Sequence, residues 1–157
     1  MKNTIVAAAI AFLTLPAFSA DEPMPVDPSG WEASAAPVVK GFETEEVMSG
    51  VRKLLRLDAA KEVAVMPMNS KAPKDALPYI MEGLVELSQA GVPAACLARD
   101  VRFAVDALTR TLDSNPKAKL DGLDIVIVSP EAPARRFNEK LTKRGIRIHW
   151  LKVVIKE

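Results

Sequence analysis

Apolar residues recur along this chain in two alternating rhythms. Residues 62–67 form a short apolar run that stops at Pro67, residues 92–98 form a second, and residues 123–128 form a third. In the third, Ile125, Val126, Ile127 and Val128 are β-branched and continuous, as expected of a strand buried on both faces. Between the runs the spacing turns helical. Leu77, Ile80, Met81, Leu84, Val85 and Leu87 share one face of a helix predicted over 75–90, with Pro78 in its first turn and Gly91 as its stop. Asp100 is placed to cap a second helix, striped by Val101, Val105, Leu108 and Leu112 and ending near Asn115 and Pro116. A third is predicted over 131–144, with Ala134, Phe137 and Leu141 inward and Gly145 as its stop. A last strand over 146–155 closes the series. Its apolar positions run Ile146, Ile148, Trp150 and then change parity to Leu151, Val153, Ile155, which predicts a bulge or two buried faces.

Upstream of these units, Thr44 is the expected cap of a helix over 44–57. Glu45 and Glu46 suit the positive end of its dipole, and Arg52, Lys53 and Arg56 suit the negative end. Val47, Val51, Leu54 and Leu55 recur at the helical period. Together the elements predict an α/β fold, a small three-layer sandwich around a four-stranded, mostly parallel sheet of flavodoxin-like or Rossmann-like kind, preceded by this extra N-terminal helix. The strand order expected is 2-1-3-4.

The first twenty residues follow a different pattern. Lys2 precedes an apolar stretch from Ile5 to Leu15, Pro16 ends it, and the small residues Ala17, Ser19 and Ala20 follow. This is the build of a cleavable signal peptide, cut near Ala20, and the stretch is shorter than the roughly 20 apolar residues of a spanning helix. The expectation is a periplasmic or secreted protein with no membrane span once the signal is removed. Residues 21–41 form a leader containing Pro23, Pro25, Pro28 and Pro37, within which Trp31 is the lone large aromatic and a candidate partner contact. A single α/β domain over 42–157 completes the expected organisation.

Charge narrows the partners. Of 21 Lys and Arg and 20 Asp and Glu, only Lys2 lies in the signal segment, so the remaining chain is balanced. That is no footprint for nucleic acid, which needs a basic surface. Cys96 is the sole cysteine of the 157 residues, so no internal disulfide forms, and its apolar setting between Ala95 and Leu97 predicts a buried, inert thiol.

Candidate chemistry is sparse. In an open parallel sheet, ligands bind beyond the carboxyl ends of the strands, where the strand order reverses. Ser70, Lys71, Arg99, Ser129 and Arg135 fall at those ends and define a candidate anion-binding edge, with Lys74, Arg102 and Arg136 near it. For Asp75, Asp100 and Ser129 helix capping is expected in preference to catalysis. No glycine-rich phosphate loop follows the first strand, and no Gly-x-Ser-x-Gly elbow occurs. The sole histidine, His149, lies within the last strand and is expected to be structural. No catalytic residue, metal ligand or cofactor is assigned.

Met66-Pro67 after a strand, followed by a helix ending in Ala90-Gly91-Val92-Pro93 before another apolar strand, resembles the thioredoxin-like periplasmic assembly proteins of conjugative pilus systems. The resemblance spans residues 66–99, and the strand–helix–strand from Asp124 onward departs from it. No functional residue carries over. The function expected is a non-catalytic partner-binding or accessory protein of an envelope, transport or conjugation system, with an envelope protein as partner. Two alternatives stand beside it. One is a small-ligand binder or enzyme using the anion edge, and the other a secreted toxin, immunity or inhibitor protein.

Overall fold

A computed structural model describes residues 41–68 and 71–155. The signal segment, most of the leader with Trp31, and Ser70 lie outside the described residues. Helix α1 spans Thr44–Leu55, and strand β1 spans Ala64–Pro67. A 3-10 turn at Lys74–Ala76 leads into α2, Leu77–Ala90, and then β2, Ala94–Leu97. Helix α3, Val101–Ser114, precedes β3, Asp124–Ser129. Helix α4, Arg135–Thr142, precedes β4, Arg147–Lys152. The fold is α/β, and every pair of neighbouring strands runs parallel.

The strand order is 1-2-3-4, which corrects the expected 2-1-3-4. Each new strand joins the same side of the growing sheet. Crossovers of one hand then leave all their helices on one face. The core agrees: Leu84 of α2, Leu108 of α3 and Leu141 of α4 pack in one cluster with Met66, Cys96 and Ile127. The alternate strand residues, Val65, Leu97, Val126 and Val128, point the other way and meet Phe42, Val47, Met48 and Val51 of α1 and its approach. Three layers result, with three helices on one side of the sheet and one on the other.

Strands β1 to β3 are therefore buried on both faces, and β4 is partly covered on both, which explains the change of parity in the last strand. No bulge is present, because β3 and β4 pair in unbroken register from Asp124 with Arg147 to Ser129 with Lys152. Ile148 packs on the three-helix side, and Leu151 and Val153 pack on the α1 side.

Helix boundaries depart from expectation for local reasons. Val47 N–H donates to Glu43 C=O at 2.9 Å, so Glu43, and not Thr44, occupies the capping position of α1. The same helix closes at Leu55, two residues early. Arg56 turns left-handed at φ 54°, and Leu57 N–H reaches back to Arg52 C=O at 2.8 Å. Helix α4 starts at Arg135 and not at 131, because Pro133 and the extended Ala134 hold the chain out of helix, and Ser129 Oγ donates to Glu131 C=O at 2.6 Å. Asp100 does cap α3, its Oδ1 accepting from Arg102 N–H at 2.9 Å.

Candidate functional site

The carboxyl ends of the strands present the expected edge, but in a different shape. A crevice opens where crossovers on either side of a reversal leave for opposite faces. An order of 1-2-3-4 has no reversal, so Lys71, Arg99 and Ser129 follow one another along the edge in strand order. Lys71 and Arg99 are exposed. Ser129 is fully buried, and its hydroxyl is committed to Glu131 C=O. Arg135 is exposed and pairs along α4 with Glu139 at 2.8 Å. Arg102 turns back on Asp100, taking both its oxygens, and this guanidinium holds the Asp100 carboxyl below its ordinary range. Asp75 lies within the 3-10 turn and does not cap it.

His149 has a defined partner. Its Nε2 lies 2.9 Å from Asp124 Oδ1, while Arg147 grips the same carboxylate with Nε at 2.9 Å and Nη2 at 2.5 Å. The Arg147 hydrogen bond is the chief cause of a lowered Asp124 pKa, with His149 adding to it. The trio joins the amino-terminal ends of β3 and β4 on the α1 side. Cys96 is fully buried, and desolvation pushes its thiol up to about 12. Among the described residues, no group of three or more His, Cys, Asp or Glu is arranged to hold a metal ion. No helix among them is long and apolar enough to cross a membrane.

Two concavities stand out. One, of about 510 Å³, lies between the start of α2 and the end of α3, beside Lys74, Leu77, Pro78 and Arg110. Two of its charges are engaged: Arg110 donates to Ala72 C=O at 2.7 Å and to Asp106 at 3.1 Å, and Asp113 pairs with Lys140. The other, of about 310 Å³, lies between the first turns of α1 and the end of β4. Phe42, Val47, Leu151 and Val153 supply its apolar walls, and Gly50 forms part of its lining. A Cβ at Gly50 would sit 2.9 Å from Leu151 Cδ2, so glycine lets helix and strand approach closely here.

Helix α1 lies over β4, with Gly50 against Leu151, and the groove opens beside that contact. Trp150, of the same parity as Ile148 on the three-helix side, is 38% exposed, and Val154, just past the strand and part of the groove lining, is 84% exposed. Trp150 is steadied by its indole N–H donating to Ser129 C=O at 3.2 Å.

Sequence reasoning missed this groove. The available signal was the apolar run Val153–Val154–Ile155, in which three adjacent residues cannot all point to one core face. No family model matches the chain, and neither curated proteins nor solved structures match it.

Proposed function

We propose that this chain is an exported, non-catalytic partner-binding protein, an accessory of an envelope, transport or conjugation apparatus. The observation that carries the reading is the groove between α1 and β4. It opens beside a sheet edge that no strand pairs among the described residues, with the exposed Val154 in its lining and the half-exposed Trp150 on the opposite face of the same strand. Apolar side chains left in water gain about 25 cal/mol for each Å² that a partner covers. Exposed aromatic and aliphatic groups clustered at one place are the usual centre of a protein interface. The export half of the proposal rests on the pattern of residues 1–20 alone.

The test is a photo-crosslinking amino acid placed at Val154 in the full chain, expressed in cells that have an envelope and followed by fractionation. The expected result is a discrete adduct in the periplasmic fraction, absent when the same group replaces the exposed Glu86 on α2. A chain retained in the cytosol would refute export. Equal, diffuse labelling from both positions would refute the binding surface.

A further inference from the structure

The two edges of the sheet are not alike. Strand β1 has four residues, all buried. Ala64 and Met68 donate their N–H groups towards β2, to Pro93 C=O and Leu97 C=O, so the backbone of the alternate residues Val65 and Pro67 faces away from the sheet. Pro67 has no donor to offer there, and a proline at such a position blocks pairing. Strand β4 has six residues and no proline. Arg147 and Val153 donate towards β3, to Leu123 C=O and Ser129 C=O. By the same alternation the N–H and C=O groups of Ile148, Trp150 and Lys152 point outward. Among the described residues, no strand pairs with that side.

We infer that β4 pairs with β4 of a second copy, antiparallel about a two-fold axis at Trp150, joining two four-stranded sheets into one. A two-fold axis normal to the sheet reverses the strand and keeps each face of the sheet on its own side, so facing residues have the same parity. With the axis at Trp150, Trp150 faces its own counterpart and Ile148 faces Lys152 of the second copy. These are the residues whose backbone groups point outward, and each exchanges its N–H and C=O bonds with a facing residue. Sliding the copies one step either way leaves Ile148 or Lys152 facing chain beyond the strand. The strand is its own complement in one register.

The side chains fit the same axis. By register with β3, Ile148, Trp150 and Lys152 lie towards the three-helix side. Trp150 is 38% exposed, and its indole N–H is already held by Ser129 C=O, so each ring meets the other without having to be ordered first. Aromatic pairs across strands are stabilising. Lys152 falls diagonal to Trp150 of the second copy, where an ammonium over the ring face is favoured. The two Lys152 residues stand four positions apart along the strands, about 14 Å, beyond the screening length of about 8 Å. Arg147 faces Val153, and its charge is matched within its own copy by Asp124. No like charges therefore meet across the axis. The leader suits this edge poorly: Pro23, Pro25, Pro28 and Pro37 lack the N–H that a strand supplies, and residues 29–36 between the last two are mostly Ser, Gly and Ala. The pairing needs no third protein, so it stands apart from the envelope partner proposed above.

The test uses the full, processed chain, purified alone. Sedimentation velocity between about 1 and about 100 μM should show a monomer giving way to a species of twice its mass. Lys152→Pro removes an outward donor without touching the β3–β4 ladder. The axis doubles that into two lost hydrogen bonds, so the dissociation constant should rise at least about tenfold. Trp150→Cys should form a disulfide between copies under mild oxidation, because directly facing residues of this kind stand about 5.5 Å apart at Cα. Lys152→Cys should not, since about 14 Å separates the two positions. Cys96 is fully buried and does not compete. Amide exchange of the unaltered chain should show Ile148, Trp150 and Lys152 protected at about 100 μM and open at about 1 μM.

Monomer mass at every concentration would overturn the inference. So would a dimer that Lys152→Pro leaves at full strength, or a disulfide from Lys152→Cys in place of Trp150→Cys. Should either substitution at Lys152 or Trp150 prevent folding, the exchange pattern decides, and protection independent of concentration would overturn the pairing. A Val154 crosslink to a different protein, with the purified chain monomeric, would keep the envelope partner and remove the dimer. A crosslink formed only between copies would do the reverse.

Discussion

Replacing Arg144 should destabilise this protein more than its surface position suggests. Arg144 follows α4, yet its guanidinium reaches the far end of α3. There it donates to Leu112 C=O at 3.0 Å, Asn115 C=O at 2.6 Å and Ala118 C=O at 2.9 Å. The last carbonyls of a helix have no partner within it, and a cation is favoured at that end of the dipole. Hydrogen bonds to a charged group contribute about 1.5–3 kcal/mol each. The three are not additive, because water can reach some of the carbonyls once the side chain is gone. Arg144→Ala should therefore cost about 2–4 kcal/mol, a large share of the roughly 5–15 kcal/mol that holds a domain folded. Urea unfolding followed by circular dichroism measures it. With a slope of about 2 kcal/mol per molar, the midpoint should fall by about 1–2 M. Arg144→Lys should recover only part of the loss, since one ammonium cannot span three acceptors held in a planar fork. A loss under about 0.5 kcal/mol for Arg144→Ala, or full recovery with lysine, would refute the bridging role.

Two further outcomes follow from the polar and sulfur groups. Asp124 has its folded pKa lowered, first by the Arg147 hydrogen bond, so the unfolded chain takes up its proton first on acidification. Its contribution is complete above the unfolded value of about 3.9 and disappears as pH falls through the lower folded value. The stability gap between the native chain and Asp124→Asn should narrow steadily between about pH 5 and pH 2, and a gap independent of pH would contradict the pairing. Cys96, with its thiol pushed up to about 12, should resist a water-soluble disulfide reagent at pH 8 while folded and react fully in denaturant. Labelling of the folded chain at the rate of an exposed thiol would show that the core opens far more readily than its packing implies.

Much of the architecture is legible in residue order because the signals are local. The apolar run Ile125–Val128, the helical stripe ending at Gly91 and the cap at Asp100 each depend on neighbours within a few positions, and each appears where expected. Local signals also err locally. Thr44 and Glu43 are adjacent candidates for one cap, and only the bond from Val47 to Glu43 decides between them.

Residue order alone thus determined the elements, the two-sided burial of the strands and the inert setting of Cys96, all of which follow from hydrophobic period and composition. Only the tertiary structure decided the strand order, because a strand apolar on both faces fits either side of its neighbour. That order then removed the crevice expected around Lys71, Arg99 and Ser129, placed three helices on one face, and left one helix to cover the other. The groove beside β4, the Arg147–Asp124–His149 cluster and the Arg144 bridge join residues more than twenty positions apart. No periodicity spans such distances, since which side chains meet across a sheet is set by register and layer, and both exist only once the chain has folded.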